Sequence, residues 1–148
     1  MEHNCSQFTK KWVSIDHNEW WAEKVNEILL ERGLASKAKV YSVSTDLPYK
    51  RGEGSKQQFQ TYIEFPKTLG EKFDLIIDDG RARVEVSKAA LKNDLFQDSS
   101  SLLIIHDFER KYYKKIVTEV GYSIHKQDSE SRRHLAVLKP PRKEFDFE

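Results

Sequence analysis

The sequence contains a single cysteine, and this scarcity limits its chemistry. Cys5 has no partner in the chain for a disulfide bond, and a zinc site built from several thiolates is excluded. No apolar run approaches the roughly 20 residues that a helix needs to cross a bilayer. The opening stretch MEHNCSQFTKKW also has no apolar segment of the signal-peptide type. We therefore expect a soluble cytoplasmic protein without a membrane partner.

An excess of one charge sign is also missing. The 148 residues include 25 Lys and Arg against 24 Asp and Glu, which gives a formal net charge of +1. Because the cations are scattered rather than collected in one stripe, the composition argues against a nucleic-acid binder. The length suits one domain with a buried core. We expect a single domain over residues 1–148, with an irregular segment at 1–11 and a frayed tail at 140–148.

Short apolar runs alternate with segments of helical period along the chain. The runs that predict strands are WVSID, AKVYSVS, FDLII, SLLIIHDF, YSIHKQ and HLAVLK. Helices are predicted in HNEWWAEKVNEILLERG, from about Ser55 to just before Pro66, in VEVSKAALKNDLF and in ERKYYKKIVTEV. This order predicts an α/β sandwich of three layers, in which a mostly parallel sheet ends in an antiparallel C-terminal hairpin.

Acidic residues stand at the carboxyl ends of four predicted strands. In open α/β sheets ligands bind beyond these ends, and packing alone would not place a carboxylate at each of them. The residues at these ends are Asp16 with His17, Asp46, Asp78 with Asp79, and His106 with Asp107. Adjacent residues of a strand point to opposite faces, so we expect Asp79 rather than Asp78 to face the cleft. Gly80 follows and is expected to supply a positive φ in the turn.

Three arginines accompany these acids. Arg81 and Arg83 follow the third predicted strand end, and Arg110 follows the fourth. A guanidinium group offers a fixed fork of donors that suits a carboxylate or a phosphate. One interpretation is that the arginines bind an anionic substrate. The alternative is that they pair with the neighbouring aspartates inside the protein.

This pattern resembles the larger, C-terminal part of the Rossmann-like class I S-adenosylmethionine-dependent methyltransferases. WVSIDHNEWWAEKV resembles the second strand of that family with its helix, FDLIIDDGRARVEVSKAAL the fourth strand with its helix, and SLLIIHDFER the fifth strand. The likeness covers roughly residues 12–139. It implies that S-adenosylmethionine is the cofactor and that Asp16 holds its ribose hydroxyls, with His17, Asp46 and Asp78 also on the cofactor side.

The resemblance also implies a reaction. Asp79 and Asp107 would orient a small-molecule methyl acceptor, His106 would take its proton, and the three arginines would bind it. Some members of the family hold a divalent cation at these strand ends. They usually carry further acids, an Asn or a His near this turn, where the present sequence has Arg83, so no metal is expected.

The family opens with a strand and a Gly-rich turn, and MEHNCSQFTKK contains neither a glycine nor a credible strand. In the family that strand lies between the second and fourth strands. Its absence leaves two edges, Val13–Asp16 and Phe73–Ile77, and unpaired edges are unfavourable. We expect that these strands pair directly or that a second copy closes the gap as a homodimer. Two functions stay open: a methyltransferase-like enzyme, and a noncatalytic remnant of the fold acting as a binding or assembly module.

Overall fold

The computed structural model describes residues 9–128 and 134–142, in which strands and helices alternate. The strands are β1 (Trp12–Asp16), β2 (Ala38–Ser42), β3 (Leu75–Asp78), β4 (Leu102–Ile105), β5 (Ser123–Gln127) and β6 (Ala136–Lys139). The helices are α1 (Glu19–Glu31), α2 (Gln60–Thr68), α3 (Arg83–Lys92) and α4 (Lys115–Thr118), the last preceded by a 3₁₀ turn at Lys111–Lys114. None of these helices is both long and apolar enough to cross a membrane. Most of the predicted irregular N-terminus, the joint of the C-terminal hairpin and most of the predicted tail lie outside the described residues.

The strands form two sheets rather than one. β1 pairs with β2 in parallel, and the second sheet has the order β3-β4-β6-β5. In this second sheet β3 is parallel to β4, whereas β6 is antiparallel to both of its neighbours. The predicted strands and the antiparallel pair near the C-terminus are confirmed. The prediction that Val13–Asp16 and Phe73–Ile77 pair directly is wrong, because β1 and β3 lie in different sheets.

β1 and β3 nevertheless lie side by side. Lys11, just before β1, forms an ion pair with Glu71, just before β3. At the other ends of the strands, Asp16 and Asp79 line the same cleft. The two strands therefore point in the same direction.

The main core covers one face of the second sheet. Side chains alternate between the two faces of a strand, so Leu103 and Ile105 of β4 share a face with Leu138 of β6. These three residues are fully buried against the helical side of the chain, with Phe108, Ile116, Tyr113 and Tyr122 among their neighbours. A smaller cluster joins α2 to α3 and consists of Phe59, Ile63, Ala82 and Ala89.

Helix α1 packs on β2, and the helical period of the sequence predicts that Trp21 lies on the packed face. Asn18 caps the helix by accepting a hydrogen bond from the Trp21 N–H, as residues of this type do at an N-cap. Asn26 donates to the Val40 carbonyl and accepts from the Val40 N–H, which fixes the rotation of the helix. This rotation buries Ala22 and leaves Trp21 51% exposed, so the placement of Trp21 on the packed face is wrong.

Two helix predictions also needed correction. α2 does not end before Pro66 but continues through it to Thr68. A proline in the last turn removes only one helical hydrogen bond, and the N–H groups of Leu69 and Gly70 close the helix on the carbonyls of Pro66 and Lys67. The single helix predicted in ERKYYKKIVTEV is instead the 3₁₀ turn followed by the short α4.

Candidate functional site

An open cleft of about 290 Å³ lies where the carboxyl ends of β1 and β3 approach each other. This is the end of the strands at which the sequence predicted a ligand site. Its lining is mainly polar and comes from β1, from helix α2 and from the turn between β3 and α3. The lining residues are Ile15, Asp16, His17, Tyr62, Asp79, Gly80, Arg81 and Arg83.

Asp16 ends β1 with its carboxylate at the cleft. Its Oδ1 accepts a hydrogen bond from the Asn18 N–H at 2.8 Å, which holds the side chain at the start of α1. The imidazole of His17 lies 3.6 Å from the same oxygen and packs edge-on against Tyr49 and Phe59. The carboxylate is partly exposed, so its second oxygen can face a ligand in the cleft.

Asp78 and Asp79 separate as the alternation of the strand requires. Asp79 lines the cleft, whereas Asp78 is 5% exposed and does not line it. The Asp78 Oδ1 accepts from the Gly80 N–H at 3.1 Å, and its Oδ2 has no hydrogen-bond partner among the described residues. Burial raises the pKa of Asp78 to about 7, although the Gly80 N–H and Arg83 favour the charged form. Asp78 is therefore buried outside the lining of the cleft.

Position 80 needs a glycine because there is no space for a side chain, and not because its backbone is left-handed. The prediction of a positive φ at Gly80 is wrong, since positive φ angles occur instead at Ala82 and, after β4, at Asp107. A Cβ atom on Gly80 would lie 2.5 Å from the hydroxyl oxygen of Tyr62. This hydroxyl lies over the turn. Burial is the main cause that raises the pKa of Tyr62, and the nearby charge of Asp78 is the second.

Arg83 joins the ends of β3 and β4. Its guanidinium donates to the main-chain oxygens of Asp79, Gly80 and His106, and its Nη2 also lies 3.1 Å from the Asp79 Oδ1. The group packs over the Tyr113 ring at 4.8 Å, and the residue is 3% exposed. Arg83 touches the cleft, but its donors are engaged within the protein. The sequence allowed two roles for the arginines, binding of an anionic substrate or pairing within the protein, and Arg83 has the second.

His106 and Asp107 lie behind Asp79. The His106 Nδ1 lies 2.9 Å from the Asp79 Oδ1 and 3.3 Å from the Asp107 Oδ1. Both distances are those of ion pairs, but neither contact has the geometry of a hydrogen bond. Asp107 also pairs with Arg110 at 3.0 Å and lies 3.8 Å from the Arg83 Nη1. The structure thus brings together all three residues that we assigned to catalysis, and it assigns Arg110 to an internal pair.

Arg81 and Asp46 have different positions. Arg81 lines the cleft, lies over the Tyr49 ring and makes no ion pair with any described residue. Asp46 is not part of the lining. Its carboxylate accepts hydrogen bonds from the side chain and the N–H of Thr61, which fixes it to the start of α2 and lowers its pKa. The structure therefore assigns Asp46 a helix-capping role.

Sequence reasoning missed Glu53. This residue comes from the turn-rich segment between β2 and α2, and its carboxylate accepts hydrogen bonds from the Arg83 N–H and the Tyr113 hydroxyl. Its carbonyl also accepts from the Ala82 N–H. Glu53 thus closes the free N–H groups at the start of α3, where a negative charge is favourable. No local pattern indicates this role, since the three partners are 29 to 60 residues away in the chain.

Comparisons with known proteins give a fold but no family. No protein-family model and no curated protein matches the sequence. An rRNA methylase from Streptococcus thermophilus matches 93% of this chain and 78% of its own length, with a TM-score of 0.61 and 13% identity. A methyltransferase from Geobacter sulfurreducens matches 88% of this chain with a TM-score of 0.57 and 12% identity. A putative methylase from Haemophilus influenzae matches 90%, with a TM-score of 0.57 and 11% identity.

These similarities show that the chain shares the fold of these three proteins. The identities are too low to transfer an activity or a substrate. The chain spans 59% of the length of the Geobacter protein and 68% of the Haemophilus protein, so a substantial part of each has no counterpart here. Across residues 9–128 and 134–142, no cluster of three or more His, Cys, Asp or Glu side chains is arranged to hold a metal.

Proposed function

We propose that this protein is an S-adenosylmethionine-dependent methyltransferase of the class I, Rossmann-like type. The observation that carries the proposal is the cleft, in which Asp16 faces Asp79, Gly80 and Arg81 across the carboxyl ends of two parallel-running strands. Ligands of open α/β sheets bind at this position. The proposal includes the three-layer arrangement of the family, a location in the cytoplasm and a small-molecule acceptor.

The polar groups of the cleft fit two parts of such a cofactor, its ribose and its amino-acid carboxylate. Asp16 has one carboxylate oxygen held by the Asn18 N–H, and the other can accept from vicinal ribose hydroxyls. Arg81, with no ion pair to a described residue, suits the carboxylate of the amino-acid end. A volume of about 290 Å³ lies just below the roughly 300–1,000 Å³ of ligand pockets, and the cleft is open at its mouth. When bound, S-adenosylmethionine would supply an electrophilic methyl group.

The chain's own residues would position the acceptor and accept its proton. Asp79 lines the cleft and lies 2.9 Å from the His106 Nδ1, so it can orient the imidazole. His106 is partly exposed and would take the proton of the attacking group, for which an imidazole is suited near neutral pH. Asp107, 3.3 Å from the same Nδ1, would stabilise the imidazolium that results. Most of the rate gain in methyl transfer would come from placing the two reactants in line.

Calorimetric titration with S-adenosylmethionine tests the proposal. We expect saturable binding by the unchanged protein, and a loss of roughly 10- to 150-fold in affinity for Asp16→Asn. This range corresponds to about 1.5–3 kcal/mol for hydrogen bonds to a charged group. Asn is the suitable substitution because its amide oxygen can still accept from the Asn18 N–H and keep the start of α1.

Glu27→Gln is the matched control. Glu27 is an exposed acid on α1 that pairs with Lys24 at 3.1 Å, so this variant removes the same charge outside the cleft. The control should bind S-adenosylmethionine as the unchanged protein does. No detectable binding by the unchanged protein, or equal affinity in Asp16→Asn and Glu27→Gln, would contradict the assignment of the cleft.

A second candidate is a noncatalytic binding module built on the same fold. It is favoured by the use of Arg83, Arg110 and Asp46 in internal contacts, which leaves fewer free groups for substrate than the sequence suggested. Under this alternative the protein would not turn over S-adenosylmethionine with any acceptor, and His106→Asn would leave its binding properties unchanged. Single-turnover assays with radiolabelled S-adenosylmethionine and a panel of small nucleophiles separate the two candidates.

A further inference from the structure

Tyr62 lines the cleft but takes no part in the proposed reaction. It lies in the first turn of α2, and its side chain reaches the turn that follows β3. A Cβ atom on Gly80 would lie 2.5 Å from the Tyr62 hydroxyl oxygen, so the phenol packs closely on the backbone of this turn. Its ring also packs edge-on against the fully buried Phe59, with 5.7 Å between the centroids. These contacts hold the hydroxyl group in a defined place.

The Tyr62 hydroxyl makes no hydrogen bond with any residue of 9–128 and 134–142. Polar groups of the neighbouring turn are already engaged with each other. The Gly80 N–H donates to the Asp78 Oδ1 at 3.1 Å, and the Gly80 carbonyl accepts from the Arg83 Nε at 3.2 Å. A tyrosine hydroxyl that is largely removed from water usually has a partner. Because Tyr62 lines the cleft, a bound ligand can supply this partner.

The hydroxyl keeps its proton, so it is a neutral donor. Burial, followed by the charges of Asp78 and Asp16, raises the pKa of Tyr62 above its usual value, and the smaller opposing effects come from two arginines. A tyrosine hydroxyl titrates near pH 10 even without such a shift. The influence of Asp16 also indicates that its carboxylate lies within electrostatic range of the hydroxyl, on the lining of the same cleft.

Asp16 supplies the complementary group. Its Oδ1 is held by the Asn18 N–H at 2.8 Å, and it forms no hydrogen bond with Tyr62 although both side chains line the cleft. A ligand group that contacts both must donate to the carboxylate and accept from the phenol. A hydroxyl does both through a single oxygen atom, whereas a carboxylate only accepts and an ammonium group only donates. The pair therefore suits an alcohol.

We propose that Tyr62 and Asp16 hold the same hydroxyl group of the ligand, with Tyr62 donating to its oxygen and Asp16 accepting its hydrogen. The inference rests on the proposed function, in which this hydroxyl belongs to the ribose of S-adenosylmethionine. Tyr62 is then a specificity-determining residue. A site built to bond a hydroxyl rejects an analogue that lacks it, because the polar groups of the protein are left unpaired. The cleft thus distinguishes a ribose from a deoxyribose.

Titration with adenosine, 2′-deoxyadenosine and 3′-deoxyadenosine, followed by NMR on the full chain, tests the proposal. Adenosine carries the ribose hydroxyls without the amino-acid end, so Arg81 has no carboxylate to bind. We expect Tyr62→Phe to bind adenosine roughly 2- to 12-fold more weakly than the unchanged protein, the usual size for a neutral hydrogen bond. One of the two deoxynucleosides lacks the oxygen that Tyr62 contacts. Tyr62→Phe should bind that one as strongly as the unchanged protein does.

Tyr112→Phe is the matched control. Tyr112 lies on the 3₁₀ turn before α4, is 46% exposed and is not part of the cleft lining, so this variant loses the same hydroxyl elsewhere. It should bind all three nucleosides as the unchanged protein does. Both variants should melt at the temperature of the unchanged protein, because neither removes a hydrogen bond within the described chain. A change in affinity without a change in melting temperature then reports the contact with the ligand.

Three results would overturn the proposal: no binding of adenosine by the unchanged protein, equal affinities of Tyr62→Phe and Tyr112→Phe for adenosine, or an equal loss for all three nucleosides in Tyr62→Phe. S-adenosylmethionine is titrated separately. If its binding depends on Asp16 but not on Tyr62, the proposed function stands and only the role of Tyr62 fails. If the nucleosides follow the expected pattern but S-adenosylmethionine does not bind, the hydroxyl site stands and the methyltransferase assignment fails.

Discussion

Replacing Arg83 tests whether this residue serves stability or substrate binding. In Arg83→Met the side chain keeps much of its volume but loses the guanidinium, which is almost fully buried. Three main-chain oxygens, of Asp79, Gly80 and His106, then lose a charged donor. Removing one partner of a buried charged network costs about 3–5 kcal/mol. The pair with the Asp79 carboxylate adds little, because that side chain is 64% exposed and screened by solvent.

Urea denaturation followed by circular dichroism measures this loss. A decrease of about 3–5 kcal/mol in the free energy of unfolding corresponds to a fall of roughly 6–20 °C in the melting temperature for a domain of this size. Arg83→Lys should recover only part of the loss, since an ammonium group cannot reach several diverging acceptors as a planar fork does. Arg81→Met is the matched control, because Arg81 makes no ion pair in the described chain, and it should change stability by less than about 1 kcal/mol. Equal effects of Arg83→Met and Arg81→Met would show that the contacts of the Arg83 guanidinium with the three main-chain oxygens do not stabilise the fold.

Two further substitutions test the turn after β3. Gly80→Ala should destabilise the protein by about 1–3 kcal/mol, because the new methyl group meets the Tyr62 hydroxyl at 2.5 Å, and Tyr62→Phe should reverse much of this effect in the double variant. Asp78→Asn should stabilise the protein at pH 8 but not at pH 4. The folded-state pKa of Asp78 lies near 7, above the usual 3.8, so its ionisation opposes folding as the pH rises through this window. The full difference is of the order of 4 kcal/mol, and equal pH profiles for the two proteins would show that Asp78 is not desolvated.

The sequence predicts the strands well because apolar runs and turn residues are local signals. All six strands occur where alternation placed them, and the separation of Asp78 from Asp79 follows from the period of two. The side of α1 that packs was not predictable in this way. Trp21 has the larger apolar surface, but the two hydrogen bonds of Asn26 to Val40 set the rotation of the helix and bury Ala22 instead.

The different positions of Arg81 and Arg83 could not be predicted from the sequence. Arg81 and Arg83 are chemically identical and only two residues apart, but one lines the cleft without an ion pair to a described residue and the other is buried. Their difference arises from Glu53 and His106, which lie 30 and 23 residues away in the chain. Internal pairing and substrate binding were both reasonable for each arginine. Only the tertiary contacts distribute the two roles.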